Sequence, residues 1–251
     1  VSVPSSPADI AFGDFNEDGV LDMAVTSYGS AVVAIRLGNG DGSFSSVANV
    51  SAQTNCEEVA LGDFNNDGHV DLAVANYGSS SVSIRLGNGS GGFSGSTNLT
   101  VQSNPFGLCL GDFDSDGNLD VVVTNRGSNS ISICLGNGNG TFDAAVHYAV
   151  RNSPDDVALG DFDGNGSLDL AVSNYSHTTV TILLNRLPFP LELQSHTPST
   201  NANSIAATSS IAMTFSENVS TATINASNIK IHGSISGYLS TRGTFSTTGA
   251  T

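Results

Sequence analysis

Hydrophobic and polar positions fall into short blocks that return along the first three quarters of the chain. An apolar run of three residues, Ile10-Ala11-Phe12, comes back as Val59-Ala60-Leu61, Leu108-Cys109-Leu110 and Val157-Ala158-Leu159. Each is followed by a polar loop and a second apolar run such as Leu72-Ala73-Val74-Ala75. A third segment alternates apolar and polar residues, as in Val82-Ser83-Ile84-Arg85-Leu86 and Ile131-Ser132-Ile133-Cys134-Leu135, and a fourth alternates in Val146-His147-Tyr148-Ala149-Val150. Period-two alternation and β-branched residues predict strands and not helices. Between the third and fourth segments stands Gly-Asn-Gly-x-Gly-x-Phe, at residues 38–44, 87–93 and 136–142, which supplies the positive φ angles of a hairpin connection.

The blocks share one period. Gly-Asp-Phe starts at Gly13, Gly62, Gly111 and Gly160, each 49 residues after the last, with no insertion. Four strands per repeat of this length predict propeller blades. The expected fold is therefore all-β: a β-propeller of four 49-residue, four-stranded blades over residues 1–187. The fourth repeat is incomplete, because Arg186-Leu187-Pro188 replaces the Gly/Asn turn after Thr181-Ile182-Leu183-Leu184-Asn185. In the 49-residue register Val1 and Val3 fall on Val50 and Ala52, within a fourth strand. Val1–Val3 is accordingly expected to complete the fourth repeat, from the same chain or from a neighbour, and so to remove an open sheet edge.

Composition sharpens this picture. Only 12% of residues are charged and Gly is abundant at 28 residues, in keeping with many short strands and turns. The net charge of −16 argues against nucleic acid and anionic membrane surfaces as partners. No apolar run is long enough for membrane insertion. Cys56, Cys109 and Cys134 lack metal-ligand spacing, and Cys109 and Cys134, within apolar strand-like runs, read as small buried residues. The opening Val1-Ser2-Val3 reads as that of a processed or partial product.

The acidity is concentrated. After the first strand each repeat carries Asp-x-[Asn/Asp]-x-[Asp/Asn]-Gly-x-x-Asp, and 13 of the 23 acidic residues stand at the ligand positions of these four loops. The side-chain oxygens belong to Asp14, Asn16, Asp18 and Asp22; to Asp63, Asn65, Asp67 and Asp71; to Asp112, Asp114, Asp116 and Asp120; and to Asp161, Asp163, Asn165 and Asp169. Position seven of each loop, Val20, His69, Asn118 and Ser167, is expected to add a backbone carbonyl. So many hard oxygens suit Ca2+, which takes about 6–8 of them, better than Mg2+, zinc or copper. Up to four Ca2+ ions would cut the net charge from −16 to about −8. An EF-hand is excluded, since position twelve is Val25, Val74, Val123 or Val172 inside a strand-like run instead of a Glu on a helix.

With Gly-Asp-Phe-[Asn/Asp]-x-[Asp/Asn]-Gly-x-x-Asp-[Leu/Met/Val]-[Ala/Val]-Val in view, residues 1–187 resemble the FG-GAP/VCBS repeats of integrin α-subunit propellers and of many secreted bacterial proteins. The resemblance implies Ca2+ between the first two strands of each blade, an extracellular setting (secreted or cell surface), and adhesion or ligand binding. It departs in blade number, because such propellers commonly have seven. Residues 188–251, with Ile211-Ala212-Met213-Thr214-Phe215-Ser216-Glu217-Asn218-Val219, resemble part of a bacterial Ig-like β-sandwich domain.

No GxSxG, HExxH or phosphate loop is present, and the clustered carboxylates are accounted for as ligands. The chain is therefore expected not to be an enzyme. The expected role is an extracellular calcium-stabilised structural or adhesion protein, assembling into a filament or surface layer by strand donation. Its expected partners are other copies of itself, surface proteins or glycans. The alternatives are a lectin-like carbohydrate- or protein-binding propeller and an accessory domain of a larger secreted enzyme. Among the Asn-x-Ser/Thr sequons, Asn98 and Asn174 are the expected glycan acceptors, with Asn165 reserved for metal.

Overall fold

The computed structural model describes residues 1–176 and 179–185 in full, and the backbone of four short strands beyond them. It divides into two compact units, Val1–Leu187 and Pro188–Thr251. Among the described residues there is no helix, and so none long and apolar enough to cross a membrane.

The first unit is a series of four antiparallel sheets, one per repeat. Blade 1 runs β1 (Pro7–Gly13), β2 (Asp22–Ser27) and β3 (Val32–Gly38), followed by β4 (Phe44–Ser46) and β5 (Val50–Ser51), which both pair with β3. Blade 2 repeats this with β6 (Cys56–Gly62), β7 (Asp71–Asn76) and β8 (Ser81–Gly87), and with β9 (Phe93–Ser94) and β10 (Asn98–Thr100) on β8. Blade 3 has β11 (Pro105–Gly111), β12 (Asp120–Asn125), β13 (Ser130–Cys134) and β14 (Val146–Ala149). Blade 4 has only β15 (Pro154–Gly160), β16 (Asp169–Asn174) and β17 (Val180–Leu183) among the described residues. In the second unit β18 (Leu193–Thr197) pairs with β19 (Ala212–Phe215), and β20 (His232–Gly233) with β21 (Gly237–Tyr238). The expected Ig-like segment otherwise lies outside the described residues.

Repetition of sequence becomes repetition of register. Every first strand slips against the second at the same place, between Pro7 and Ile10, Cys56 and Val59, Pro105 and Leu108, and Pro154 and Val157. Proline is tolerated there because it stands at the first residue of its strand. The second strands of blades 1 to 3 are buried on both faces, which explains their unbroken apolar runs. Consecutive blades pack face to face through three apolar clusters, one at each junction. First strands lie beside first strands, β1 against β6, β6 against β11 and β11 against β15.

Three expectations need correction. Val1–Val3 does not complete blade 4 within the chain. Val3 packs instead on Met23, Val25 and Ala34 of blade 1, and the carbonyl of Ser2 accepts hydrogen bonds from Arg36 Nε at 2.8 Å and Nη2 at 2.7 Å. The fourth strand is not one continuous segment in blades 1 and 2, where Val47–Asn49 and Gly95–Thr97 interrupt it. Nor is Asn174 a glycan acceptor, because it is buried in β16 and its amide donates to Val172 O, Thr179 O and Thr181 Oγ1. Asn98 is exposed.

Candidate metal centres

Each acidic loop is held by the same ladder of side chain to backbone hydrogen bonds. The first Asp accepts from the amides of positions five and six: Asp14 from Asp18 (3.1 Å) and Gly19 (2.8 Å), Asp63 from Asp67 (3.2 Å) and Gly68 (2.8 Å). Asp112 accepts likewise from Asp116 (3.1 Å) and Gly117 (3.0 Å), and Asp161 from Asn165 (3.0 Å) and Gly166 (2.9 Å). Position three, Asn16, Asn65, Asp114 or Asp163, also accepts from the amide of position five. Position five, Asp18, Asp67, Asp116 or Asn165, accepts from the amide of position seven, which is Val20, His69, Asn118 or Ser167. These are Asx turns in series, and they draw the side-chain oxygens toward one another. The loop can close so tightly because Gly19, Gly68, Gly117 and Gly166 take φ of +83°, +88°, +91° and +86°, angles that a side chain would resist.

The ninth position behaves differently. Asp22, Asp71, Asp120 and Asp169 are fully buried. One carboxylate oxygen accepts from the motif Phe amide, Phe15 (2.8 Å), Phe64 (2.8 Å), Phe113 (2.7 Å) or Phe162 (2.8 Å). The other accepts from the end of the third strand, Gly38 (2.8 Å), Gly87 (2.7 Å), Gly136 (2.7 Å) or Asn185 (2.7 Å). This Asp braces the loop to the sheet whatever else it does. Its close fit has a steric counterpart, since a Cβ on Gly87 would lie 2.2 Å from the carbonyl oxygen of Val70.

In the third loop Asp112, Asp114 and Asp116 bring one carboxylate oxygen each within 4.8 Å of the others, and in the fourth Asp161, Asp163 and Asp169 do the same. Such crowding carries an electrostatic cost. Burial, then its two backbone hydrogen bonds, then Asp114 and Asp116 act on Asp120, whose carboxyl is pushed up to about 6. Burial raises Asp114 too, with Asp116 adding to it, and burial raises Asp71. In the second loop the exposed Asp67 is held low by hydrogen bonds from His69 N and Asn65. All-oxygen donors, converging carboxylates and open space around the loop glycines fit a hard divalent cation. The His69 imidazole is no part of that donor set: its Nδ1 contacts Glu17 of the preceding loop.

That contact belongs to a set of links between blades that sequence reasoning missed. Asn66 Nδ2 donates to Asn118 Oδ1 at 3.0 Å, one repeat on from the Glu17–His69 pair. The carbonyl of the motif Phe is engaged by the next blade each time, Phe15 by Gly91 N (2.7 Å), Phe64 by Gly140 N (2.8 Å) and Phe113 by Asn185 Nδ2 (2.8 Å). The recurrence of the Gly/Asn turn at a fixed distance from the loop was the available signal.

Comparison with known proteins agrees with this geometry. The family model for the FG-GAP-like repeat matches residues 14–74, 63–123 and 112–172, together more than half of the chain, and that for a bacterial Ig-like domain matches residues 189–249. No curated protein matches. Among solved structures, BBS1N in complex with ARL6DN is 14% identical with a TM-score of 0.51, over 72% of this chain and 58% of that one. A lectin of Agrocybe aegerita that recognises non-reducing terminal N-acetylglucosamine is 21% identical, with a TM-score of 0.46 over 70% of this chain and 51% of the lectin. Streptogramin B lyase is 15% identical, with a TM-score of 0.46 over 76% and 58%. The chain thus spans between half and three fifths of the length of these structures.

Proposed function

Because the chain belongs to the FG-GAP-like repeat family, we propose that it is a calcium-stabilised structural and adhesive module that works outside the cell. One observation carries the reading: four loops, 49 residues apart, adopt one hydrogen-bonded form that gathers oxygens and nothing else. The residues that would hold the metal are positions one, three, five and nine of each loop, with the backbone of Val20, His69, Asn118 and Ser167. Bound there, Ca2+ would supply positive charge to carboxylates that otherwise repel one another. All else rests on the chain's own residues. The ninth Asp fixes the loop to β-sheet hydrogen-bonding groups, and the motif Phe carbonyl ties the same loop to the next blade. Ordering one loop therefore stiffens a junction between blades, the property that a structural or adhesive surface module needs.

An extracellular setting is supported by the net charge of −16, the calcium-type loops, and the Ig-like match beyond the repeats. The test is calcium titration of the metal-free protein by calorimetry with parallel thermal melts. Heat of binding with up to four equivalents and a rise in melting temperature are expected, because a ligand that binds the folded form adds to its stability. No binding heat and an unchanged melt in excess chelator would overturn the reading.

A binding role has its own support at the opposite ends of the strands. There Tyr28 and Tyr77 meet edge-on, and Arg126 stacks between Phe106 and Tyr175 at 4.6 Å and 4.8 Å. Tyr28 and Tyr175 are exposed, while Arg126 is half-buried and also pairs with Asp155 at 3.1 Å, and an aromatic surface with a guanidinium of this kind suits a glycan or a protein partner. A glycan array in calcium, silent for the native protein, would count against the sugar.

A further inference from the structure

The fourth strand is interrupted in both blades 1 and 2, and beside these two breaks lies a cavity of about 690 Å3. One wall is residues 47–53 of blade 1, the other is drawn from residues 90–98 of blade 2, and the buried Arg85 also lines it. The opening follows from the residues. One junction on, the same repeat positions carry Leu99, Val101, Cys134 and Ala145, which all belong to the apolar cluster there. Here they are Val50, Ala52, Arg85 and Ser96, each smaller or polar.

The charge of this cavity runs against that of the protein. The chain has 23 acidic residues against 7 Lys and Arg, but no acidic residue lines the cavity and one guanidinium does. Among the described residues the ion pairs are His69–Glu17 and Arg126–Asp155, so Arg85 has no carboxylate partner. Its N–H groups meet neutral acceptors instead. Nε donates to Ser51 O at 2.6 Å, and Nη1 to Ile84 O at 2.7 Å and Thr97 O at 2.9 Å. Nη2 donates to Asn98 Oδ1 at 3.2 Å and Ser83 Oγ at 3.4 Å. Ser51 belongs to blade 1 and Thr97 to blade 2, so the side chain braces the junction. Bracing accounts for the three short bonds but not for the charge, because a buried guanidinium served only by neutral oxygens is desolvated with no counter-ion to offset the cost. Burial accordingly draws Arg85 below the usual arginine pKa, opposed by Cys56, whose own thiol is pushed up to about 11 and so is protonated at neutral pH.

The two long bonds both lie on Nη2, and one of their acceptors, Asn98, is an exposed side chain of the cavity wall. A carboxylate at Nη2 exchanges a long neutral contact for a charge-assisted one. The remaining walls suit hydroxyl groups, with the amides of Asn49 and Gln53 and the hydroxyls of Ser90 and Ser96, and Phe93 adds a ring for an apolar face. We propose that this cavity binds an acidic sugar residue, its carboxylate on Arg85 Nη2 in place of Asn98 and its hydroxyls on the wall amides and serines. The volume falls within the ~300–1,000 Å3 usual for small-ligand sites. The inference goes beyond the calcium reading and does not depend on it: no metal-loop residue lines the cavity, so the calcium titration and a sugar titration fail independently.

The experiment is titration of the 251-residue chain in calcium with glucuronate and with N-acetylneuraminate, read by saturation-transfer NMR and calorimetry. Glucose is the neutral control and acetate the bare anion. At least one acidic sugar is expected to bind about tenfold more tightly than either control, as a charge-assisted hydrogen bond implies, and to weaken as salt is raised. Ser96→Trp fills the cavity from an exposed position and should abolish binding with circular dichroism unchanged. Arg85→Lys keeps the charge without the planar fork and should weaken binding about tenfold. If the Arg85 variant does not fold, Ser96→Trp decides alone. Acidic sugars that bind no better than glucose, or acetate that binds as well as they do, would overturn the proposal. Binding that survives Ser96→Trp but is lost in Arg126→Gln would overturn it in favour of the aromatic patch at the other ends of the strands.

Discussion

Asn185 donates its side-chain amide to the carbonyl of Phe113 at 2.8 Å, and so does with a side chain what Gly91 and Gly140 do with their backbone amides at Phe15 and Phe64. Repeat four has lost the Gly/Asn turn, and this one residue restores the link that the turn would have made. Its backbone amide meanwhile holds Asp169 at 2.7 Å. Asn185→Ala should therefore weaken the last junction by about 1 kcal/mol, a typical net value for one hydrogen bond with some cost for the carbonyl left behind. Hydrogen exchange should quicken in β16 and β17 and stay unchanged in β2 and β7. Uniform quickening, or none, would contradict the assignment.

Positions five and nine of the loops should separate cleanly in mutants. Asp67 is exposed and makes only hydrogen bonds within its loop, whereas Asp71 is buried and satisfies the amides of both Phe64 and Gly87. Asp67→Asn should lower the melting temperature in calcium and leave it unchanged in chelator. Asp71→Ala should destabilise under both conditions by roughly 2–5 kcal/mol, because two buried N–H groups lose their acceptors. Paired melts of the two variants check this, and equal behaviour in chelator would refute the division of labour.

How far the sequence reached is best seen at these residues. The period placed the strands, the loops and the blade architecture, because in a repeat protein each blade faces the same environment and must solve it with the same residues. The part it did not show was long-range. That Asp71 ties the loop to Gly87, or that Val3 rests on Met23, depends on which chain segments meet across a sheet. Asn174 illustrates the same limit: its sequon is local, but its burial comes from the neighbouring strand β17. The interruption of the fourth strands is of this kind too, since both halves still pair with one third strand.

The three cysteines should be silent in the native protein. None is in a disulfide, Cys56 and Cys134 are buried, and Cys109 is half-buried. Burial pushes the Cys56 thiol up to about 11 and those of Cys109 and Cys134 up to about 12. Thiolate is the reactive form, and little of it exists at about pH 8. A disulfide reagent should label no thiol of the native chain and all three on unfolding, at a rate set by opening of the blades. Fast labelling of one thiol in folded protein would show that its junction opens readily.

Glu58 offers a pH signature that owes nothing to the acidic loops. It sits on β6, where burial first, then Asp156, with smaller effects of Asp9 and Asp155, pushes its carboxyl from 4.5 up to about 7 against a hydrogen bond from Leu108 N. The folded chain thus keeps a proton there that the unfolded chain gives up near 4.5. Between these values the folded state binds more protons, so stability falls as pH rises. The contribution is complete below about pH 4.5 and gone above about 7. Glu58→Gln removes the charge at every pH while keeping the shape. Variant and wild type should therefore melt together near pH 4, and the variant should melt higher near pH 8, whatever the loops contribute to both. If the two curves run parallel across that range, Glu58 titrates alike in the folded and unfolded chain, and the first strands do not press their acids together as described.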